Sequence, residues 1–562
     1  MNPINNAARP QRLLGMAMVV LVLFKLWLVG AQTIQAIGPA GHDDRLFLQM
    51  TGSMLRGEWL GHYSQMTLAK GPFFSMFTAL SFVLSVPLFI AQHLLYALAC
   101  WVVIRALRPW SPVFFLQLGL FTALLFNPVT YDSGIHTRVL RQNLTPALSL
   151  MILAGLLALH GRREWSPRKL IPWALLLGGA LSALSLTRED SIWIAPALLL
   201  PWAATAWQIW RKKHEQSRLR KLGVVIMIPL AVYGAGLSTV GLLNWHYYGV
   251  FTTCEFKSAA FKDAYGSLTR VTPAHWQPYI PVARETRERI YAISPAFAEL
   301  RADLEGQLGF NWAANSQALL GLPPEDHEIA GGWFPWALRD AVAYAGHART
   351  GAEAMAFYAR IAQEVNAACD QGLIEAGPAR SGFIPPWNKD YTPHLIRSAG
   401  NTAKMLFTFE HMAVTPKPSI GPPVRLLIFA DLTRGRLSSL EGEKSPLIGQ
   451  AVLDHVRLSI LKPIGRIYAA TMPWLGIGAL LCTAVGLIRV LSRRRIPYWG
   501  LFSAGLLGSC FALILICALV DTTSFPAISQ GYLTGGYGFF IFFVFTGVWT
   551  AYQQLGLSSV ES

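Results

Sequence analysis

Apolar runs near or above 18 residues recur along this chain, and that repetition leaves few folds open. Inside hydrocarbon every backbone N–H and C=O must be satisfied within the segment or against its neighbours, so runs of this length form helices. Ten are expected, near residues 13–37, 88–107, 113–131, 144–160, 170–187, 191–210, 221–243, 466–490, 497–520 and 535–553. The first is too long for a signal-peptide core and lacks a small-residue cleavage site, so it reads as a retained helix. Phe73 to Val86 is also apolar, but it precedes Pro87 and a full crossing would break the parity of the loops. A re-entrant, interfacial or broken helix is expected there. The fold class is an all-α polytopic membrane protein of about 10–12 transmembrane helices.

Charge orients those helices. Residues 244–465 hold 21 basic and 21 acidic side chains, so the surplus behind the net charge of +16 lies elsewhere, as 26 basic against 10 acidic residues. It falls in clusters between the apolar runs: Arg9 and Arg12; Arg105 and Arg108; Arg162, Arg163, Arg168 and Lys169; six residues from Arg211 to Lys221; and Arg493 to Arg495. That is the positive-inside pattern, and it argues against nucleic acid as the partner. With all five clusters inside, both termini are cytoplasmic and 244–465 forms a mainly helical extracytoplasmic domain. Helical patterns occur there at Arg284–Tyr291 and at 351–368. Three parts are expected: a transmembrane core over 1–243 with a first external loop at 38–72, the domain at 244–465, and closing helices over 466–562. Cys254 and Cys369 both fall in the outer domain and have the option of one disulfide; the other four cysteines read as small core residues.

This topology places seven carboxylates on the outer side: Asp43, Asp44, Glu58, Asp132, Glu189, Asp190 and Asp521. Arg45, Lys70, Arg138, Arg141 and Arg188 share that side. Cations are disfavoured in short translocated loops, and a bound anion explains them economically. In the first loop Asp43 and Asp44 precede an amphipathic stretch with Phe47, Met50 and Met54 at helical spacing, then Glu58, His62 and Lys70-Gly71-Pro72. The plainer reading makes Asp44 the helix cap and Asp43 a solvated side chain. For Arg188-Glu189-Asp190 it is a self-paired turn. Lys25, inside the first helix, has three options: snorkelling, a carboxylate partner or a lipid headgroup. Most charges of the outer domain read as solvated surface, with Glu255 and Lys257, close to the membrane, as the exceptions.

No P-loop, HExxH, GxSxG or helical His/Cys ligand spacing is present in the sequence. What remains is acids, cations and aromatics at an outer membrane interface, a set suited to group transfer from an anionic lipid. An acidic pair after the first membrane helix, an interfacial helix and Lys-Gly-Pro before the next apolar run resemble the GT-C superfamily of integral-membrane glycosyltransferases. The likeness is closest to the branch of protein O-mannosyltransferases and lipid A aminoarabinose transferases, and it covers roughly residues 10–245. Lys70-Gly71-Pro72 stands where that branch has Lys-Pro-Pro.

The resemblance implies a GT-C-like fold and an inverting transfer from a polyprenyl-phosphate sugar to an extracytoplasmic acceptor, at the periplasmic face of a bacterial inner membrane. It makes Asp43 the base, with Asp44 as its alternate or partner, and matches Asp132 to a second-loop acid. Lys70, Arg138, Arg141 and Arg188 are then phosphate ligands. Glu189 and Asp190 orient them or touch sugar hydroxyls, and Glu58 and His62 join the substrate-binding set. No cofactor is expected, although some members of the superfamily hold a divalent metal between carboxylates. Two alternatives stay open: an O-antigen-ligase-like transferase, which relies on Arg and His without a first-loop carboxylate pair, and a lipid or polysaccharide transporter, with mid-membrane charges and related halves.

Overall fold

In a computed structural model the described residues are 3–110, 113–212, 215–438, 448–492 and 498–554. Helix is their regular secondary structure, with isolated β-bridges and no strand among them. Among the described residues nine helices are long and apolar enough to cross a membrane, and two apolar helices are shorter. The chain is an all-α polytopic membrane protein.

The first half runs through α1 (Pro3–Val29), α2 (Asp44–Leu55), α3 (Phe73–Val83), α4 (Leu88–Leu107), α5 (Phe114–Leu125), α6 (Thr145–Gly161), α7 (Pro167–Thr187), α8 (Ala195–Arg211) and α9 (Arg218–Tyr248). The second half contains α10 (Ala259–Arg270), α11 (Arg284–Tyr291), α12 (Gln307–Leu320), α13 (Phe334–Tyr344), α14 (Gly351–Asp370), α15 (Tyr391–Thr408), α16 (Pro423–Thr433), α17 (Ile448–Ser492), α18 (Tyr498–Thr523) and α19 (Gln530–Gln554).

Three elements differ from the sequence reading. The run expected over 13–37 ends as helix at Val29, and the chain beyond it extends, pairing Ile34 with Leu437 and Ile37 with Ile420. The run expected over 113–131 stops at Leu125. Pro128 has no N–H for a helix, and Asn127 caps a 3₁₀ turn, Pro128–Tyr131, by accepting from the Val129 N–H at 3.3 Å. The run expected at 466 begins far earlier: α17 has 45 residues, about 68 Å of helix at 1.5 Å per residue. The α3 segment, with 11 residues, is a short apolar helix as anticipated.

Two cores organise the packing. The first draws on the membrane helices together with Leu406, Phe409, Val414, Leu426 and Phe429 from α15, α16 and the chain between them. The second takes its buried side chains from Phe261 to Ile374. The chain from α15 onward, grouped with the outer domain by the sequence reading, therefore packs back against the membrane bundle. At one end of the bundle Arg162 donates to the Arg105 and Ala106 carbonyls, and Lys212 pairs with Glu164, so basic clusters distant in sequence meet there. The side chain of Arg9 and the cluster Arg493 to Arg495 lie outside the described residues. The first loop lies at the opposite end.

Two readings left open by the sequence are decided. Cys254 and Cys369 are both buried free thiols, and Cys254 donates to the Ala69 carbonyl at 3.1 Å, so no disulfide joins them. Lys25 takes none of its three options. Its Nζ is buried and donates to the Leu125 carbonyl at 2.6 Å and Thr130 Oγ1 at 2.8 Å, over the Tyr96 ring at 4.8 Å. The carbonyl is free to accept because α5 stops at that residue, so the helix break and the buried ammonium satisfy each other.

Candidate active site

The α2 helix carries the first two site residues. Phe47 and Met50 are buried and Met54 packs against the same core, so the anticipated apolar face forms. Asp43 stands at the N-cap position and Asp44 in the first turn, but neither side chain caps the helix. Asp44 is sealed, and Arg138 grips both its oxygens, Nε to Oδ1 at 3.2 Å and Nη2 to Oδ2 at 2.5 Å. Asp43 turns to Lys70 through Oδ1 and keeps half of its side-chain surface open. The reading of Asp44 as cap and Asp43 as a solvated side chain is therefore overturned: Asp43 holds the N-cap position without a cap bond, and each carboxylate pairs with a cation.

Lys70 is buried between the Phe47 ring, at 5.3 Å, and the Trp336 ring, at 5.6 Å. Its place depends on the glycine that follows. A Cβ at Gly71 would fall 2.1 Å from the Leu186 carbonyl oxygen, and the Gly71 N–H donates to Glu189 Oε1 at 3.2 Å. A proline there would lose that donor, which explains Lys-Gly-Pro in this chain. Glu189 also accepts from Arg141 Nη1 at 2.6 Å, and Arg141 donates to the Thr187 carbonyl at 3.1 Å. Arg188 pairs with Asp190 and lies over the Tyr532 ring at 5.5 Å. The 188–190 turn is thus only half self-paired, because Glu189 leaves it to join the second loop.

Lys70, Arg138, Arg141 and Arg188 therefore meet Asp43, Asp44, Glu189 and Asp190, four cations against four carboxylates from separate stretches. Arg45 adds a fifth cation with no ion pair among the described residues and a buried, unpartnered Nε. Burial pushes the Asp43 carboxyl up, but Lys70, aided by Arg141 and Arg138, outweighs it and holds the group below its ordinary range. For Asp44 burial wins over Arg138, and the charge of Asp43 adds to the rise. Burial lowers Lys70 despite Asp43. Glu189 and Asp190 resist burial through Arg141 and Arg188 respectively and are held low. Of the three carboxylates held low, Asp43 is the most exposed, at 50% of its side chain against 33% for Asp190 and 24% for Glu189.

Three anticipated residues lie apart from this group. Asp132 is buried and accepts from the Ala413 N–H at 2.8 Å, so it fastens the second loop to the chain after α15. Glu58 pairs with Arg56 on the exposed surface. His62 is exposed beside a cavity of about 390 Å³ lined by Met50, Leu60, Ile428 and Leu432. Among the described residues no group of three or more His, Cys, Asp or Glu is placed to hold a metal ion. Sequence reasoning missed His42, although it precedes Asp43, and it missed Trp336 and Tyr532, for which distance along the chain left no signal.

No protein-family model matches the chain, and no curated protein does. Two solved structures are similar to it. One is ArnT from Cupriavidus metallidurans in the apo state, with 14% identity over 95% of this chain and 78% of that chain and a TM-score of 0.30. The other is ArnT from the same organism bound to undecaprenyl phosphate, with 15% identity over 93% and 77% and a TM-score of 0.31. At TM-scores this low the likeness decides nothing about the site.

Proposed function

We propose that this protein is an inverting glycosyltransferase of the GT-C type, moving a sugar from a polyprenyl-phosphate donor to an acceptor at the periplasmic face of a bacterial inner membrane. The observation that carries the reading is the half-open Asp43 carboxylate set among Lys70, Arg138, Arg141 and Arg188. A polyprenyl-phosphate sugar is a phosphodiester with one negative charge. As the acceptor oxygen bonds to the anomeric carbon, the bond from that carbon to the phosphate oxygen breaks, and the leaving phosphate gains a second charge. Cations fixed in advance stabilise that developing charge more than the ground state. Arg138 and Arg188 each bind their carboxylate through Nε and Nη2, which leaves a third guanidinium nitrogen for a phosphate oxygen.

Asp43 takes the acceptor's hydroxyl proton, for which it has to be ionised beforehand and reachable. Asp44 holds Arg138 in place. Glu189 and Asp190 do the same for Arg141 and Arg188.

The test follows a label. Membranes containing the protein are incubated with polyprenyl-phosphate sugars labelled in the sugar. Transfer of label to a second molecule, with inversion at the anomeric carbon, is expected. Label that stays on the lipid, or transfer with retention, would overturn the reading.

A further inference from the structure

His42 precedes the carboxylate assigned as base and has no role in the account so far. Its ring lies edge-on between two tryptophans contributed by the second core, 5.0 Å from Trp312 and 4.8 Å from Trp336 between ring centres. Both tryptophans are anchored. Trp312 Nε1 donates to Asp340 Oδ2 at 3.0 Å, and Trp336 packs edge-on against Phe256 at 4.9 Å. Trp336 also lies beside the Lys70 ammonium, so one ring borders both His42 and the phosphate-binding cations. The imidazole itself makes no hydrogen bond among the described residues. Its nitrogens are not among the sealed polar atoms, so they face solvent-accessible space.

Resting on the transferase reading, we propose that His42 is a sugar-recognition residue: its imidazole exchanges hydrogen bonds with hydroxyls of the donor's sugar ring, seated beside Asp43 with Trp336 as the wall. The phosphate is assigned to the cations and the acceptor hydroxyl to Asp43, which places the sugar next to both; Trp336 borders Lys70, and His42 packs against Trp336 and directly precedes Asp43. Charge supports a neutral role. Burial, with Lys70 next, pushes the imidazole down to about 4, against the opposing field of Asp43, while Arg45 and Arg339 add to the depression. A neutral imidazole both donates and accepts, which suits hydroxyls and not phosphate. The outer domain therefore enters the catalytic centre through the two rings that fix this side chain.

The test compares undecaprenyl phosphate with and without a sugar (glucose, mannose, galactose or aminoarabinose), binding to purified full-length protein. The wild type should prefer at least one sugar-bearing lipid over the bare one. His42→Phe keeps an aromatic ring in the tryptophan clamp and removes both nitrogens. It should cut that preference about tenfold, the effect of one or two neutral hydrogen bonds, with affinity for the bare lipid retained. His42→Gln should restore part of it, and the pH profile of turnover between 6 and 8, roughly the range around neutrality, should not move. An unchanged preference in His42→Phe, or an equal loss for both lipids, would overturn the assignment while leaving the transferase reading intact. Failure of the wild type to bind either lipid would overturn both.

Discussion

Two buried-side ion pairs flank the first loop, and they are finished differently. Glu255 and Arg339 are sealed, at 0% and 1% side-chain exposure. Both Glu255 oxygens and all three Arg339 nitrogens are engaged: Glu255 also accepts from the Tyr63 hydroxyl, and Arg339 donates to the Gln65 and Thr67 carbonyls at 2.8 and 2.9 Å. Asp43 and Lys70 have the same chemistry, yet Asp43 is 50% exposed and bonds through one oxygen. A fully satisfied pair fixes the second core to the first loop and offers nothing to a ligand. A pair with one side left open keeps its charges in place and its carboxylate reachable. Exposure of the carboxylate and its unused hydrogen-bonding capacity, and not charge, separate the clamp from the proposed site.

The comparison can be broken by removing one partner from each pair. Arg339→Met strands Glu255 in a sealed position and should cost about 3–5 kcal/mol, read as a lowered thermal midpoint in detergent; the double change with Glu255→Leu should recover part of it. Lys70→Met should lower the midpoint less while abolishing transfer. Equal destabilisation by the two would mean the open pair is a second clamp.

Asp132 is a third case, sealed but without an ion pair among the described residues. Burial pushes it up to about 6, against 3.8 in the unfolded chain. The folded state then binds more protons between those values, so its stability falls as pH rises from about 4 to about 6, by at most about 3 kcal/mol. Asp132→Asn should flatten that slope in melting curves taken across the range. Arg188→Ala, at the open site, should weaken binding of undecaprenyl phosphate by about 1.5–3 kcal/mol. Glu58→Gln should leave both binding and melting unchanged, since its pair with Arg56 lies in water.

Much of this was readable from residues. Nine of the ten apolar runs became membrane-length helices among the described residues, the run over 113–131 giving only the short α5, and Phe47, Met50 and Met54 gave the face of α2. Cations in loops that disfavour them marked Lys70, Arg138, Arg141 and Arg188, which do come together with Asp43, Asp44, Glu189 and Asp190. Other features depend on contacts between distant stretches. Glu255 stood out by its place near the membrane, but its partner lies 84 residues away. Lys25 needed the break in α5 to find acceptors. Asp132 carried the right charge in the right kind of loop, and only its bond to Ala413 removes it from the cation group. His42 was passed over because nothing local reveals the two tryptophans that hold it.

The central claim is that the reachable carboxylate, and not the sealed one beside it, is the base. Asp43→Asn preserves shape and removes basicity. Turnover of a labelled polyprenyl-phosphate sugar should fall on the order of 10²–10⁴-fold with affinity for undecaprenyl phosphate little changed. Asp44→Asn should instead loosen Arg138 and weaken lipid binding. Near-normal turnover in Asp43→Asn would contradict the account, moving the base to Asp44 if that variant is dead and removing the mechanism if the double variant is active.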